Sequence, residues 1–506
     1  MKKKTTISFV LTNLIFLLII NTDIRAQSNV DYPIIDTGQE LCYDTVDVIV
    51  CPQFGESFYG QDAQYTGNPF AYQNNGDGTV TDTVTGLMWQ QTPDLYDKSN
   101  YAEALAAADT FSLAGYDDWR LPSIKELYSL IDFNGSSFTL VPYIDTSYFD
   151  FRFGDENLGE RVIDGQYWSS TEYVGTTMNN DPTTFGVNFA DGRIKGYPSE
   201  PVGPPEDQFN MTAFVRYVRG NTNYGINDFV DNSDGTISDV ATGLMWQASD
   251  NGDTHNWVEA LEYAENLSYA GFDDWRLPNA KELQSIVDYT RAPDAINTAQ
   301  QGPAIDPIFG VTETESWYWT STTLLESPPN LGVGGHAIYV TFGQAYGWME
   351  FPPNSGEYAY TNVHGAGAQR SDPKVGNPTD WPNGFGPQGD DVRIYNYVRA
   401  VRDVDASTSV GDDYGLNIPS KYILNQNYPN PFNPVTTIQY NLPHRSNVQI
   451  IIFDLLGSEV KTIVSEVQNA GFKSVLWDAT NVSSGMYFYQ IRAGDFIQTK
   501  KMVLLK

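Results

Sequence analysis

The feature that most constrains this chain is an internal duplication. Asp77-Gly78-Thr79-Val80-Thr81-Asp82 returns 157 residues later as Asp234-Gly235-Thr236-Ile237-Ser238-Asp239, and Thr85-Gly86-Leu87-Met88-Trp89-Gln90 returns as Thr242-Gly243-Leu244-Met245-Trp246-Gln247. Gly115-Tyr116-Asp117-Asp118-Trp119-Arg120-Leu121-Pro122 returns as Gly271-Phe272-Asp273-Asp274-Trp275-Arg276-Leu277-Pro278. Tyr167-Trp168-Ser169-Ser170-Thr171 then matches Tyr318-Trp319-Thr320-Ser321-Thr322, and each copy closes on Val-Arg-x-Val-Arg, Val215 to Arg219 and Val398 to Arg402. The order is kept throughout, so one structural unit is present twice.

Each unit reads as strand hairpin, helix, helix, then strands. Asp77-Gly78 and Asp234-Gly235 have tight-turn chemistry, in which glycine accepts a positive φ. The first helix places Tyr101, Ala104, Leu105 and Ala108 on one face, and its twin places Trp257, Ala260, Leu261 and Ala264 there. The second helix opens on a capping box, Ser123-x-x-Glu126, mirrored by Asn279-x-x-Glu282. Ile124, Leu127, Leu130 and Ile131, with twins Ala280, Leu283, Ile286 and Val287, form its buried stripe. Motif tryptophans Trp89, Trp119 and Trp168 and their twins are expected in the core. The copies diverge before their final strand, at Gly196 to Asn210 in one and over the longer Phe351 to Asp391 in the other. Long excursions on a rigid scaffold are where binding concentrates. The residues singled out for contact are Tyr346, Trp348, Tyr358, Tyr360 and Trp381.

The ends of the chain differ from its middle. Lys2, Lys3 and Lys4, an apolar run from Ile7 to Ile20, and Ala26 before Gln27 have the pattern of a signal peptide over 1–26. The 27–70 extension holds both cysteines, Cys42 and Cys51; after export they are expected to form one local disulfide. The net charge is −34 over 506 residues. Residues 1–26 and 422–506 are both net basic, so the acidity belongs to the middle. Such a field repels nucleic acid and anionic lipid. It favours divalent cations such as calcium only weakly, and no cofactor is expected. No segment after the leader is apolar enough to span a membrane.

The repeated motifs resemble the Lcl C-terminal domain family over about 71–220 and 225–402: Gly-Leu-Met-Trp, Asp-Trp-Arg-Leu-Pro and Tyr-Trp-Ser-Ser-Thr stand here twice, with Thr320 replacing the first Ser in the second copy. The resemblance implies a C-type-lectin-like fold, distantly akin to the sulfatase-modifying-factor group. It also implies an adhesin module of the kind that binds sulfated glycosaminoglycans, although a strongly acidic module repels a polyanion. The cysteine chemistry of the sulfatase-modifying group is excluded, because Cys42 and Cys51 precede both copies.

Other chemistry finds little support. Read as a calcium loop, the Asp77 turn lacks acids at the first and twelfth positions. The adjacent acids Asp117-Asp118 and Asp273-Asp274 read as turn residues or partners of Arg120 and Arg276 rather than as an acid–base pair. Ser169 and Ser170 have no Gly-x-Ser-x-Gly elbow. His255, His336 and His364 lack metal-site spacing, and neither a phosphate loop nor the calcium-binding tripeptides of C-type lectins occur. No catalytic or metal-ligating residue is assigned, and a non-enzymatic protein is expected.

After a linker at 403–421, the segment 422–506 opens on Asn427-Tyr428-Pro429-Asn430-Pro431-Phe432-Asn433-Pro434 and ends on Lys501-Met502-Val503-Leu504-Leu505-Lys506. It closely resembles the type A C-terminal sorting domain of the type IX secretion system. That resemblance implies a small β-sandwich read by the export machinery, with the protein released or held at the outer-membrane surface after passing the periplasm. The expected architecture is therefore α+β: two C-type-lectin-like domains in tandem, 71–220 and 221–402, followed by an all-β Ig-like sandwich. The expected role is a secreted or surface binding protein with glycans or surface proteins as partners. The alternatives are an enzyme or accessory subunit acting on extracellular polysaccharide, and a structural component of the envelope.

Overall fold

The computed structural model describes residues 30–505 except 95–96, 204–205, 207, 327–332, 351–354, 387, 405–421, 425–426, 428–429, 444–445, 456, 469–470, 481 and 495. The signal-peptide and linker expectations, and Tyr428, Pro429 and Lys506 of the sorting motif, lie outside the described residues. The chain forms two compact units, divided between Leu416 and Asn417.

In each copy the Gly-Leu-Met-Trp motif is a strand. Thr79–Asp82 pairs with Leu87–Gln90, and Thr236–Asp239 with Leu244–Gln247. The period-two pattern buries Val80, Leu87 and Trp89 in one copy and Ile237, Leu244 and Trp246 in the other. The turn before each hairpin is an Asx turn: Asp77 Oδ1 accepts from Thr79 N at 3.1 Å, Asp234 Oδ1 from Thr236 N at 3.0 Å. The final strands, Val218–Gly220 and Val401–Asp403, complete two matching four-stranded sheets.

Four short helices follow from the capping signals: α1 (Tyr101–Ala108), α2 (Ile124–Ser129), α3 (Trp257–Glu265) and α4 (Ala280–Ser285), each opened by a full capping box. The Arg of each Arg-Leu-Pro motif grips the capping glutamate in bidentate fashion: Arg120 on Glu126 at 2.6 and 2.5 Å, Arg276 on Glu282 at 2.5 and 2.7 Å. Asp118 and Asp274 therefore pair elsewhere, with Arg219 and Arg402 of the closing strands at 2.6 Å. This corrects the pairing expected from sequence: a partner six residues away completes the cap, and the adjacent acid ties the helix lead-in to the last strand.

The two copies meet as one body. Gln166–Glu172, Thr183–Asn188 and Arg193–Pro198 form three strands of a six-stranded sheet. Gln369–Pro373, His336–Thr341 and Trp317–Leu324 supply the other three in mirrored order. The join is Gln369 opposite Ile194. Ile194 also faces Val187, and Gln369 faces Val340. Val187 and Val340 each stand two residues before an equivalent Phe, so the joining residues are twins and a pseudo-two-fold axis runs between them, as in an isologous dimer. The same symmetry exchanges two lysines. Lys125 Nζ on α2 donates to Ser285 O at the end of α4 at 2.7 Å, and Lys281 Nζ on α4 donates to Ser129 O at the end of α2 at 3.0 Å. One core cluster runs through both copies, including Trp89, Leu127, Tyr167 and Ile194 with Trp246, Leu283, Tyr318 and Ile338.

The expectation of an α+β chain with C-type-lectin-like domains is corrected here. Among the described residues, strand makes up 36% and helix 10%. The helical periodicity marked real helices, but each runs only six to nine residues. The sheets, which fuse across the repeat, form most of the regular framework.

The C-terminal unit is all-β and fits an Ig-like sandwich. Ile423–Leu424, Val435–Leu442 and Gly471–Asp478 form one sheet; Ser446–Phe453, Glu459–Gln468, Gly485–Ala493 and Phe496–Leu504 form the other. Ile438, Ile450, Trp477, Tyr489, Met502 and Leu504 are buried within it. The two ends of the sorting signature meet. Phe432 N donates to Val503 O at 3.0 Å, Leu505 N to Phe432 O at 2.9 Å, and Val503 N to Asn430 Oδ1 at 2.9 Å. Asn427 is anchored on Thr436 and Tyr489. Pro431, Asn433 and Pro434 continue this opening segment, while Lys501 in the last strand and Leu505 just after it are exposed.

Candidate binding surface

The two copies differ most at the turn between their second and third wall strands. In the first copy, Phe189 to Arg193 turns through Ala190-Asp191-Gly192. In the second, the chain leaves after Phe342 and returns at Gln369, having built an extra hairpin of Tyr346–Glu350 against Tyr358–Asn362. Trp348 lies opposite Tyr360, Glu350 opposite Tyr358 and Tyr346 opposite Asn362. Strand alternation therefore puts Tyr346, Trp348, Tyr358 and Tyr360 on one face. Tyr346 and Tyr360 stack with centroids 4.7 Å apart and planes 12° from parallel; Trp348 sits 4.7 Å from Tyr360 at 46°. Tyr358 and Tyr360 are exposed, and Tyr346 and Trp348 half-buried.

The hairpin is held from its other edge by the loop that follows the third wall strand. Trp348 N donates to Gly389 O at 2.7 Å and Asp391 N to Tyr346 O at 3.0 Å. A Cβ on Gly347 would stand 2.7 Å from Gln388 O, so this approach requires glycine. Carboxylates rim the face. Tyr360 OH donates to Asp391 at 2.8 Å, and Gln344 Nε2 bridges Glu315 and the Tyr346 hydroxyl, both at 2.8 Å. Burial first, and then Asp391, raise the Tyr360 hydroxyl above its ordinary value; burial and then Glu315 do the same at Tyr346. Both phenols stay protonated at neutral pH. Arg393 spreads its guanidinium over the Trp317 ring at 3.6 Å, on the edge of the same region.

Trp381 belongs to a separate group. It packs edge-on against Phe385 at 5.6 Å, and Phe385 leans on buried His336. Four of the five rings expected from the sequence, Tyr346, Trp348, Tyr358 and Tyr360, share the hairpin face, whereas Phe385 and Arg393 lie in an irregular loop that carries no sequence signal. His364 is also accounted for structurally: it contacts Asp390 at 3.0 Å, and burial followed by Arg370 holds its ring neutral.

Two carboxyls are held up to about 7 by burial, Asp62 and Asp372. Both side chains are buried. Asp62 accepts from the Thr322 and Thr37 hydroxyls at 2.5 and 2.8 Å, and Asp372 from the Arg393 and Ile394 amides at 3.0 Å. Cys42 and Cys51 are joined, with Cα atoms 5.1 Å apart. Among the described residues, no group of three or more His, Cys, Asp or Glu is placed to hold a metal ion, and no helix is long and apolar enough to cross a membrane.

The chain matches the model of the Lcl C-terminal domain over 78–219 and 235–364, and that of the secretion system C-terminal sorting domain over 426–505. No curated protein matches. Among solved structures it is similar to PorZ, a bacterial surface component of the type IX secretion system of Porphyromonas gingivalis. Identity is 12%, covering 65% of this chain and 44% of that one, at a TM-score of 0.14, a likeness too slight to carry an argument. The chain thus spans less than half of PorZ. It belongs to the Lcl C-terminal domain family, with two copies of that domain and a type IX sorting tail that directs it to the outer-membrane surface or beyond.

Proposed function

We propose that this is a non-enzymatic binding or adhesion protein, and that the aromatic face of the 346–362 hairpin contacts its ligand, a neutral saccharide. The observation that carries this reading is the near-parallel Tyr346–Tyr360 pair flanked by Trp348 on an element the first copy lacks. Sugar rings present apolar C–H faces that suit such platforms, and the protonated phenols and rim carboxylates offer hydrogen bonds to hydroxyls. Glu315, Glu350 and Asp391 around the face, within a chain of net charge −34, disfavour sulfated polymers.

The test is a titration of the mature protein with neutral, amino and sulfated oligosaccharides, followed by tryptophan fluorescence. Saturable binding of neutral sugars, weakened about tenfold or more by Trp348→Ala, is expected. Binding confined to sulfated sugars, or to none, would refute the reading and leave an envelope-structural role.

A further inference from the structure

The pseudo-two-fold axis allows each surface of the first copy to be read against its twin in the second, and one pair of surfaces is unequal. In the second copy, the 37–67 excursion of the N-terminal extension lies over the start of α4 and one face of α3. The Gln39 amide pairs with both main-chain groups of Thr323, at 2.5 and 3.0 Å. Asp62 accepts a hydrogen bond from the Thr322 hydroxyl. Tyr65 lies under the Arg276 guanidinium, 5.5 Å from it, and its hydroxyl donates to Glu265. Phe58 packs against Trp257.

The short linker before the second copy makes no such excursion. In the first copy, the twin of Thr322 is Thr171, which accepts from Ile124 N at 2.9 Å just as Thr322 accepts from Ala280 N at 2.9 Å. Yet Ser170 and Glu172 are exposed where Ser321 and Thr323 are buried. Arg120 has 33% of its side chain exposed against 9% for Arg276. Leu105 is 38% exposed and its twin Leu261 only 1%. Beside them opens a cavity of about 320 Å³, lined by Arg120, Ser123, Lys125, Thr171, Tyr224 and Ile226, the last 60% exposed. The first copy thus keeps the receptor half of a contact whose other half, in the second copy, is peptide.

We propose that this face of the first copy docks a peptide of a partner protein, folded into a single 3-10 turn, with a carboxylate three residues before an aromatic ring, the pattern that Asp62-Ala63-Gln64-Tyr65 presents to the second copy, where Tyr65 N donates to Asp62 O at 3.0 Å. The carboxylate takes the Thr171 hydroxyl, the ring lies against the Arg120 guanidinium, and an apolar residue ahead of them covers Leu105. The site is separate from the aromatic hairpin and stands or falls independently of sugar binding.

The probe is a fluorescein-labelled peptide of the chain's own residues 56–66, titrated into the full mature protein and read by anisotropy. Saturable binding is expected, weakened about tenfold by Asp62→Ala in the peptide, which removes the acceptor for the Thr171 hydroxyl. Leu105→Glu and Ser170→Arg, both at exposed positions that leave the melting temperature unchanged, weaken it comparably. The proposal is overturned by absence of saturable binding, or by equal affinity for the wild type and both variants. It is equally overturned if a uronate oligosaccharide binds the face in place of the peptide, or if sedimentation shows self-association that Leu105→Glu abolishes, which would give the face to a second copy.

Discussion

The first and second copies share a skeleton and differ in what is laid over it. Their hairpins, capping boxes, Arg–Glu grips and closing strands superpose in role residue by residue. The second copy alone carries an aromatic hairpin between its wall strands and an N-terminal excursion over its helices. Duplication with fusion explains the division of labour: a sheet shared across Gln369 and Ile194 fixes the scaffold, so additions at a turn or terminus leave the core intact. The copies do not behave as beads on a string, because the edge strand each would expose is covered by the other.

The comparison breaks most easily at the seam. Asp191, buried, pairs with Lys195 at 2.5 Å and Arg193 at 3.3 Å, while Arg370 of the other copy ion-pairs with Asp390 nearby. Asp191→Ala strands buried cations and is expected to cost about 3–5 kcal/mol. Chemical denaturation should show both copies lost in one transition. Trp246→Ala, in the common core, should cost about 3–5 kcal/mol, whereas Trp348→Ala on the display hairpin should cost less than about 1 kcal/mol. Comparable losses at the two tryptophans would contradict the separation of scaffold from surface.

The exchanged lysines give a smaller effect. Burial lowers Lys281 to about 7 and Lys125 to about 8. Replacing either by Met leaves partner carbonyls without their donor, at about 1–3 kcal/mol each by urea denaturation. Unequal losses would mean that the pseudo-symmetry is only geometric.

Asp62, unique to the excursion, sharpens the contrast through pH. Burial raises its carboxyl to about 7, whereas an unfolded aspartate titrates near pH ~4. The folded state therefore holds this proton more tightly: the contribution is full below pH ~4 and is lost as pH rises through about 7. Asp62→Asn should remove that part of the pH dependence, so that the stability of wild type relative to variant falls by about 1 kcal/mol or more between pH 4 and 8. A pH-independent difference would show that Asp62 is not the titrating group.

Local signals were legible in the chain. Capping boxes at Ser123 and Asn279 need only a four-residue window, and the turn at Asp77-Gly78 needs two. The closing partners of Asp118 and Asp274 were not legible, because Arg219 and Arg402 lie more than a hundred residues away. Nor was the fused sheet, whose joining pair sits in two unremarkable strands. Leu105 shows the limit of periodicity. Its position on α1 matches that of buried Leu261, but burial there depends on a covering segment that only one copy has. The excursion begins earlier than the Phe351 expected from the sequence: the chain diverges at Gly343, but Tyr346-Gly347-Trp348 reads as a continuation of the wall.

The central claim is that two duplicated halves constitute one cooperative body, and native-state hydrogen exchange tests it most directly. The amides of Leu87–Gln90 and Leu244–Gln247 occupy equivalent central strands. Both sets should exchange through a single global opening, with the same free energy and the same denaturant dependence. If one set exchanges through an opening that leaves the other protected, the halves fold independently and the shared core does not unite them.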